Sequence, residues 1–146
     1  MTRIDFYILD TADEQSRRVT ACKLVEKALR QGHRIFIQTA SEDETKMLDD
    51  LLWTFRQGSF VPHAPAGLEA DEDASPVLIG HAVPPSGMDD VLVNLSGEVP
   101  EEYQRFGRLA EVVDQNEARR QAGRVRYKAY KDAGYVPETH RLDGSG

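Results

Sequence analysis

The chain has 146 residues, 40% of them hydrophobic and 29% charged, which is enough apolar material for one core and one domain. Its formal net charge of −7 argues against non-specific nucleic-acid binding by the whole surface. A single cysteine, Cys22, excludes an internal disulfide and points to a reducing, cytoplasmic setting, and no window approaches the roughly 18 apolar residues of a membrane span.

The first residues read as a strand, Ile4 to Leu9, rather than as a signal peptide, because β-branched and aromatic residues dominate them. Thr11 and Glu14 then have capping-box spacing. A helix is expected from there to about Gln31, with Ala21, Cys22, Leu24, Val25, Ala28 and Leu29 on one face and Gly32 as its stop. Arg34 to Gln38 reads as a second strand. Ser41 and Glu44 form another capping box, and the helix behind it places Met47, Leu48, Leu51, Leu52 and Phe55 on one face. Trp53 projects roughly 170° from the centre of that face, so the only tryptophan is expected off the core. With Phe60 just beyond the helix it would make an exposed apolar patch, which marks an interaction site.

Gly58 to Ser75 reads as a long loop, most acidic within 64–75 (E-A-D-E-D). Strands are expected at Pro76 to Ile79, Val91 to Leu95 and Leu109 to Val113. The short link between the first two suggests one antiparallel pair. Residues from Tyr135 are expected to be irregular, with a mobile tail over about 141–146. The strand–helix alternation implies α/β architecture in three layers, with a mostly parallel sheet of about five strands.

The stretch from Asp114 to Gly134 reads as a helix with Asp114 as N-cap and Gly134 just past its end. At 100° per residue Ala118, Ala122, Val125, Ala129 and Ala133 share one side, which should lie on the sheet. Arg120, Arg124, Tyr127, Lys128 and Lys131 share the other. Between Asn116 and Lys131 six Lys or Arg face a single acid. Basic stripes are usually solvated faces. An uncompensated one on an acidic protein is a candidate for capturing an anion, whether a carboxylate-rich peptide, a phosphate or nucleic acid.

Catalytic signatures are lacking. The turn after the first strand, D-T-A-D-E-Q-S, has no glycine for phosphate approach, and its acids would repel an anion. Asp10 and Asp13 lack a third ligand for Mg²⁺ and read as turn and cap residues. His33, His63, His81 and His140 show no ligand spacing, and Cys22 falls on an apolar face. These residues describe a binding module rather than an enzyme, with no cofactor and no metal.

Several segments, in order, are similar to one family: D-F-Y-I-L-D, A-C-K-L-V-E-K-A, L-D-D-L-L-W-T-F followed by S-F-V-P-H, D-V-L-V-N-L and R-Y-K-A-Y. The chain resembles the chi subunits of bacterial DNA polymerase III holoenzyme, accessories of the clamp-loader complex. The resemblance implies a Rossmann-like, non-catalytic adaptor without bound nucleotide. It implies two partners: the psi subunit of the clamp loader, and the acidic, phenylalanine-ended C-terminal tail of single-stranded-DNA-binding protein. A repair helicase can take the place of psi in some members. By motif position Arg124, Tyr127 and Lys128, with Arg120 and Thr139, would bind the tail. Trp53 and Phe60 would face psi. Nucleic acid would be reached only indirectly. The alternatives are a module that binds single-stranded nucleic acid directly through the basic helix, and a nucleotide-dependent enzyme on the same sheet.

Overall fold

The computed structural model describes residues 1–56, 61–66 and 75–142. Its elements run β1 (Arg3–Leu9), α1 (Glu14–Arg30), β2 (Ile35–Gln38), α2 (Glu42–Thr54), β3 (His63–Pro65), β4 (Val77–Gly80), β5 (Val91–Asn94), a 3₁₀ turn at Tyr103–Arg105, β6 (Arg108–Val113), α3 (Glu117–Asp132) and β7 (Glu138–Leu142). The strands form one seven-stranded sheet in the order β3-β4-β2-β5-β6-β1-β7. The α/β, Rossmann-like arrangement is as expected, but the sheet has seven strands where about five were read. His63–Pro65 falls in the segment read as loop, and β7 in the tail read as irregular. Both are edge strands, where one flank has no strand partner among the described residues and the usual run of β-branched residues is not needed.

Among the described residues every strand pairing is parallel, and the expected antiparallel pair is not found. The short link after β4 is enough because β4 and β5 lie on either side of β2. Ten residues can extend to roughly 33 Å, ample to return along a four-residue strand. That link also contributes Met88 to the core.

The sheet is buried on both faces, and β2, β4 and β5 are buried at every residue. On one face α1 and α2 pack Ala21, Cys22, Val25, Leu48 and Leu52 against Ile35, Ile37, Val93 and Val112. On the other, α3 covers β1 and β6 while Met88, Tyr103 and Phe106 cover the rest. Cys22 is a core residue as read, and burial pushes its thiol up to about 12. Met47 is half exposed rather than in the core. It lies at the margin of the face centred on Leu48 and Leu52.

Two helix starts differ from the sequence reading. Asp13, not Thr11, caps α1, accepting from the Ser16 N–H at 2.9 Å. Asn116, not Asp114, caps α3, accepting from Arg119 N–H at 3.1 Å. Asp114 is instead buried beneath the Arg119 guanidinium. Ser41 caps α2 as expected, although Glu44 reaches back to the Ala40 N–H at 3.0 Å rather than to Ser41.

The largest correction concerns which face of α3 meets the sheet. The small-residue stripe is not the buried one: Val125 is 69% exposed and Ala118, Ala129 and Ala133 are exposed. The buried residues are Gly123, Arg126 and Tyr130, with Tyr127 half-buried beside them. This face lies roughly 100° around the helix from the alanine stripe. The reason is in β6. Glu111 is fully buried and needs donors, and it takes them from Arg126 Nε at 3.0 Å, Tyr130 Oη at 2.6 Å and Asn94 Nδ2 at 3.0 Å. A buried carboxylate left without partners costs several kcal/mol, whereas turning alanines away from the sheet forfeits little area. Burial and the neighbouring carboxylate raise the Tyr130 pKa, so its hydroxyl remains the donor.

Tyr130→Phe keeps the ring and removes that charge-assisted bond. It should destabilise the protein by about 1.5–3 kcal/mol in urea unfolding. A variant as stable as the wild type would show that Glu111 is satisfied without Tyr130.

Candidate functional site

Turning α3 onto its Gly123–Arg126–Tyr130 face brings the cationic stripe to the seam between α3 and the β1–β7 edge of the sheet. A groove of about 350 Å³ runs along this seam. Its floor is Phe6 and Ile8 of β1, Val113 of β6 and Gly123 of α3. Arg120, Arg124 and Tyr127 line it from α3, and Thr139 and Arg141 from β7.

Four of the five residues read as tail-binding are thus brought together, and Lys128 is the exception. Lys128 lies outside the groove and pairs with Asp132 one turn on, at 2.9 Å. That bond raises its pKa, so it stays a cation. Arg120 is half-buried and shares its guanidinium with Glu117 at 3.2 Å, while its Nε is buried without a described partner. Arg124 is exposed and makes no ion pair or side-chain hydrogen bond with another described residue. Tyr127 packs edge-on against Phe6 with centroids 5.3 Å apart, and Lys131 sits 5.9 Å over its ring. The walls are therefore cationic and the floor apolar, which suits an anion carrying an apolar group.

The sequence reading missed β7 and with it Arg141. Alternation along a strand splits β7 between the two faces. Thr139 and Arg141 look onto the groove, while His140 turns to the opposite face and bonds the buried Asp5 at 2.8 Å. Asp5 also takes Arg108 at 3.1 Å and Arg3 at 3.2 Å. Asp5, Glu138 and His140 are the described group whose ligand atoms lie close enough for a metal, within 4.8 Å. With two guanidiniums already on Asp5, this cluster works as an ion-pair latch holding β7 to β1.

At the N-terminus of α1, where α/β folds often hold phosphate, the chain places its own acids. Asp13 caps the helix, and Glu14 pairs with Arg17 and Arg119. Among the described residues no helix is long and apolar enough to cross a membrane.

Trp53 lies at the end of α2, 49% exposed, with its ring 4.4 Å from that of His63. The His63 side chain is buried and contacts the Asp49 carbonyl at 2.9 Å, so His63 braces the tryptophan from beneath. A larger cavity of about 700 Å³ adjoins this surface, between α2 and the carboxyl ends of β3 and β4, with Asp49 in its wall. Phe60, read as the companion of Trp53, lies outside the described residues.

The family model described as "DNA polymerase III chi subunit, HolC" matches residues 1–138. This chain belongs to the DNA polymerase III chi subunit family. The DNA polymerase III subunit chi of Pseudomonas aeruginosa is 42% identical over 143 residues, covering 97% of this chain and 98% of that protein. The chi subunit of Escherichia coli is 31% identical over 140 residues, covering 92% and 95%. Similar solved structures include T4 UvsW, with a TM-score of 0.68 at 10% identity, covering 98% of this chain and 42% of that one. They also include the C-terminal domain of S. cerevisiae Dbp5 bound to Gle1 and IP6, with a TM-score of 0.64 at 18% identity, covering 98% and 92%. At these identities the likeness is one of fold, whereas membership in the chi family makes the chain a replication accessory of DNA polymerase III.

Gly123 lets α3 lie close enough to form the groove floor. A Cβ there would meet Val113 Cγ2 at 3.0 Å and Cγ1 at 3.1 Å. Val113 is buried and cannot swing clear. Gly123→Val should therefore cost about 1–3 kcal/mol of stability, read as a lowered denaturation midpoint. Unchanged stability would mean that α3 does not need this close approach.

Proposed function

We propose that the chain is a non-catalytic replication adaptor. It links the clamp-loader complex, through a psi-like subunit, to the acidic C-terminal tail of single-stranded-DNA-binding protein. The observation that carries this reading is the convergence of Arg120, Arg124, Tyr127 and Thr139 on one groove with cationic walls and an apolar floor. An extended peptide ending in phenylalanine matches it chemically: the ring fits over Phe6, Ile8 and Val113, and the carboxylates meet guanidinium forks.

The second surface is Trp53 with the adjoining cavity. An adaptor must hold both partners at once, and the positions suit that. Trp53 stands beside β3 at one edge of the sheet, on the face covered by α2, while the groove lies at the β7 edge under α3. Six strand spacings separate these edges, roughly 29 Å. Half-exposed tryptophan beside a cavity is the kind of anchor that dominates interfaces.

Arg124→Ala should weaken binding of an acidic Phe-ended peptide by about 1.5–3 kcal/mol, the range for charge-assisted hydrogen bonds. Lys128→Ala should have the smaller effect, because Lys128 is exposed, engaged by Asp132 and outside the groove. Calorimetric titration of both variants checks the order. Equal losses would point to diffuse attraction. Tight binding of single-stranded DNA with a steep salt slope, and none of the peptide, would favour a direct nucleic-acid module instead.

Trp53→Ala should abolish capture of a psi-like subunit, at a cost of about 2–4 kcal/mol, while leaving peptide affinity unchanged. Co-purification and peptide titration on the same variant test this. Loss of both activities, or of the fold, would refute the separation of the two surfaces.

A further inference from the structure

We propose that Arg141 forms a second anion subsite of the groove, and that an acidic peptide continues past it across the carboxyl end of β1. This rests on the peptide-binding reading above and extends it to a residue outside the basic helix. Arg141 lines the groove under α3 and also an adjoining cavity of about 600 Å³ formed with Leu9, Asp10, Gln115 and Leu142. The two cavities share Ile8, Gln115 and Arg141, so they are two stretches of one channel with Arg141 at the junction.

The placement follows from β7. Its register sets Arg141 beside Ile8 of the floor, and its alternation turns Thr139 and Arg141 to the same side. The latch of His140 onto Asp5 fixes that choice from the opposite face. Charge points the same way. Arg119 is held by Asp114 and Glu14, Arg120 by Glu117, and Lys128 by Asp132. Arg124 and Arg141 make no ion pair with another described residue, and they stand on opposite walls. A peptide between them meets one guanidinium from the helix and one from the strand, which suits two carboxylates close together in an extended chain.

The test is fluorescence anisotropy with two labelled peptides on the full chain. One is short, a single acid before a terminal phenylalanine; the other adds acidic residues upstream. For wild type the longer peptide should bind more tightly. Arg141→Ala and Arg141→Gln should each lose about tenfold for the longer peptide and little for the short one, with a shallower salt dependence. Arg124→Ala should weaken both peptides. Thermal midpoints within error of wild type confirm that β7 is in place. If wild type and Arg141→Ala bind the longer peptide alike while Arg124→Ala is weakened, the Arg141 subsite is refuted and the peptide-binding reading survives. If wild type binds neither peptide, both fall together.

Discussion

The orientation of α3 depends on one buried carboxylate. Glu111 sits in the middle of β6 with no exposed surface, and Asn94, Arg126 and Tyr130 converge on a single one of its oxygens. Two of these donors lie on α3, one turn apart, so meeting both fixes the roll of the helix. That roll turns Val125, Ala118, Ala129 and Ala133 to solvent and brings Arg120, Arg124 and Tyr127 to the edge of the sheet. Without Glu111 the hydrophobic pattern alone would favour a different face, and the cations would project away from the strands that complete the groove.

A second buried carboxylate holds β7. Asp5 gathers Arg3, Arg108 and His140, tying the edge strand to β1 from the face opposite the groove. One side of β7 is thus structural, while the other presents Thr139 and Arg141. At the distant edge, β3 has a comparable role. The buried His63 ring, bound to Asp49 of α2, supports Trp53 at the surface. Each edge strand of the parallel sheet therefore backs one of the two candidate surfaces, and five strands lie between them.

The acidic balance of the chain and its basic helix are compatible because most cations are used internally. Arg17, Arg119 and Arg126 satisfy carboxylates that the fold has buried or half-buried. Arg124 and Arg141 are not consumed in this way among the described residues. Counting lysines and arginines along the helix therefore overstates its attraction for anions. What matters is which guanidiniums the core has left over, and where.

The sequence by itself determined the class of the fold, five of the seven strands, the three helices and the position of Trp53 off the core face of α2. These follow from local rules, namely β-branched runs, capping residues and helical periodicity, which need no knowledge of what lies across the sheet. It also carried the family motifs, and with them Arg120, Arg124, Tyr127, Lys128 and Thr139 as candidates. The two edge strands escaped because three to five residues with one unpaired flank need no hydrophobic signature. The face of α3 escaped because its partner is a glutamate distant from most of the helix in sequence. A buried Arg and a buried Tyr look like surface residues until that glutamate is seen beneath them. Arg141 came into view only with β7, and its separation from the Lys128–Asp132 pair only with the groove. Local pattern fixes which segments become helix or strand; the desolvation of Glu111, Asp114 and Asp5 decides how those elements are turned against one another, and no periodicity in a single segment encodes that.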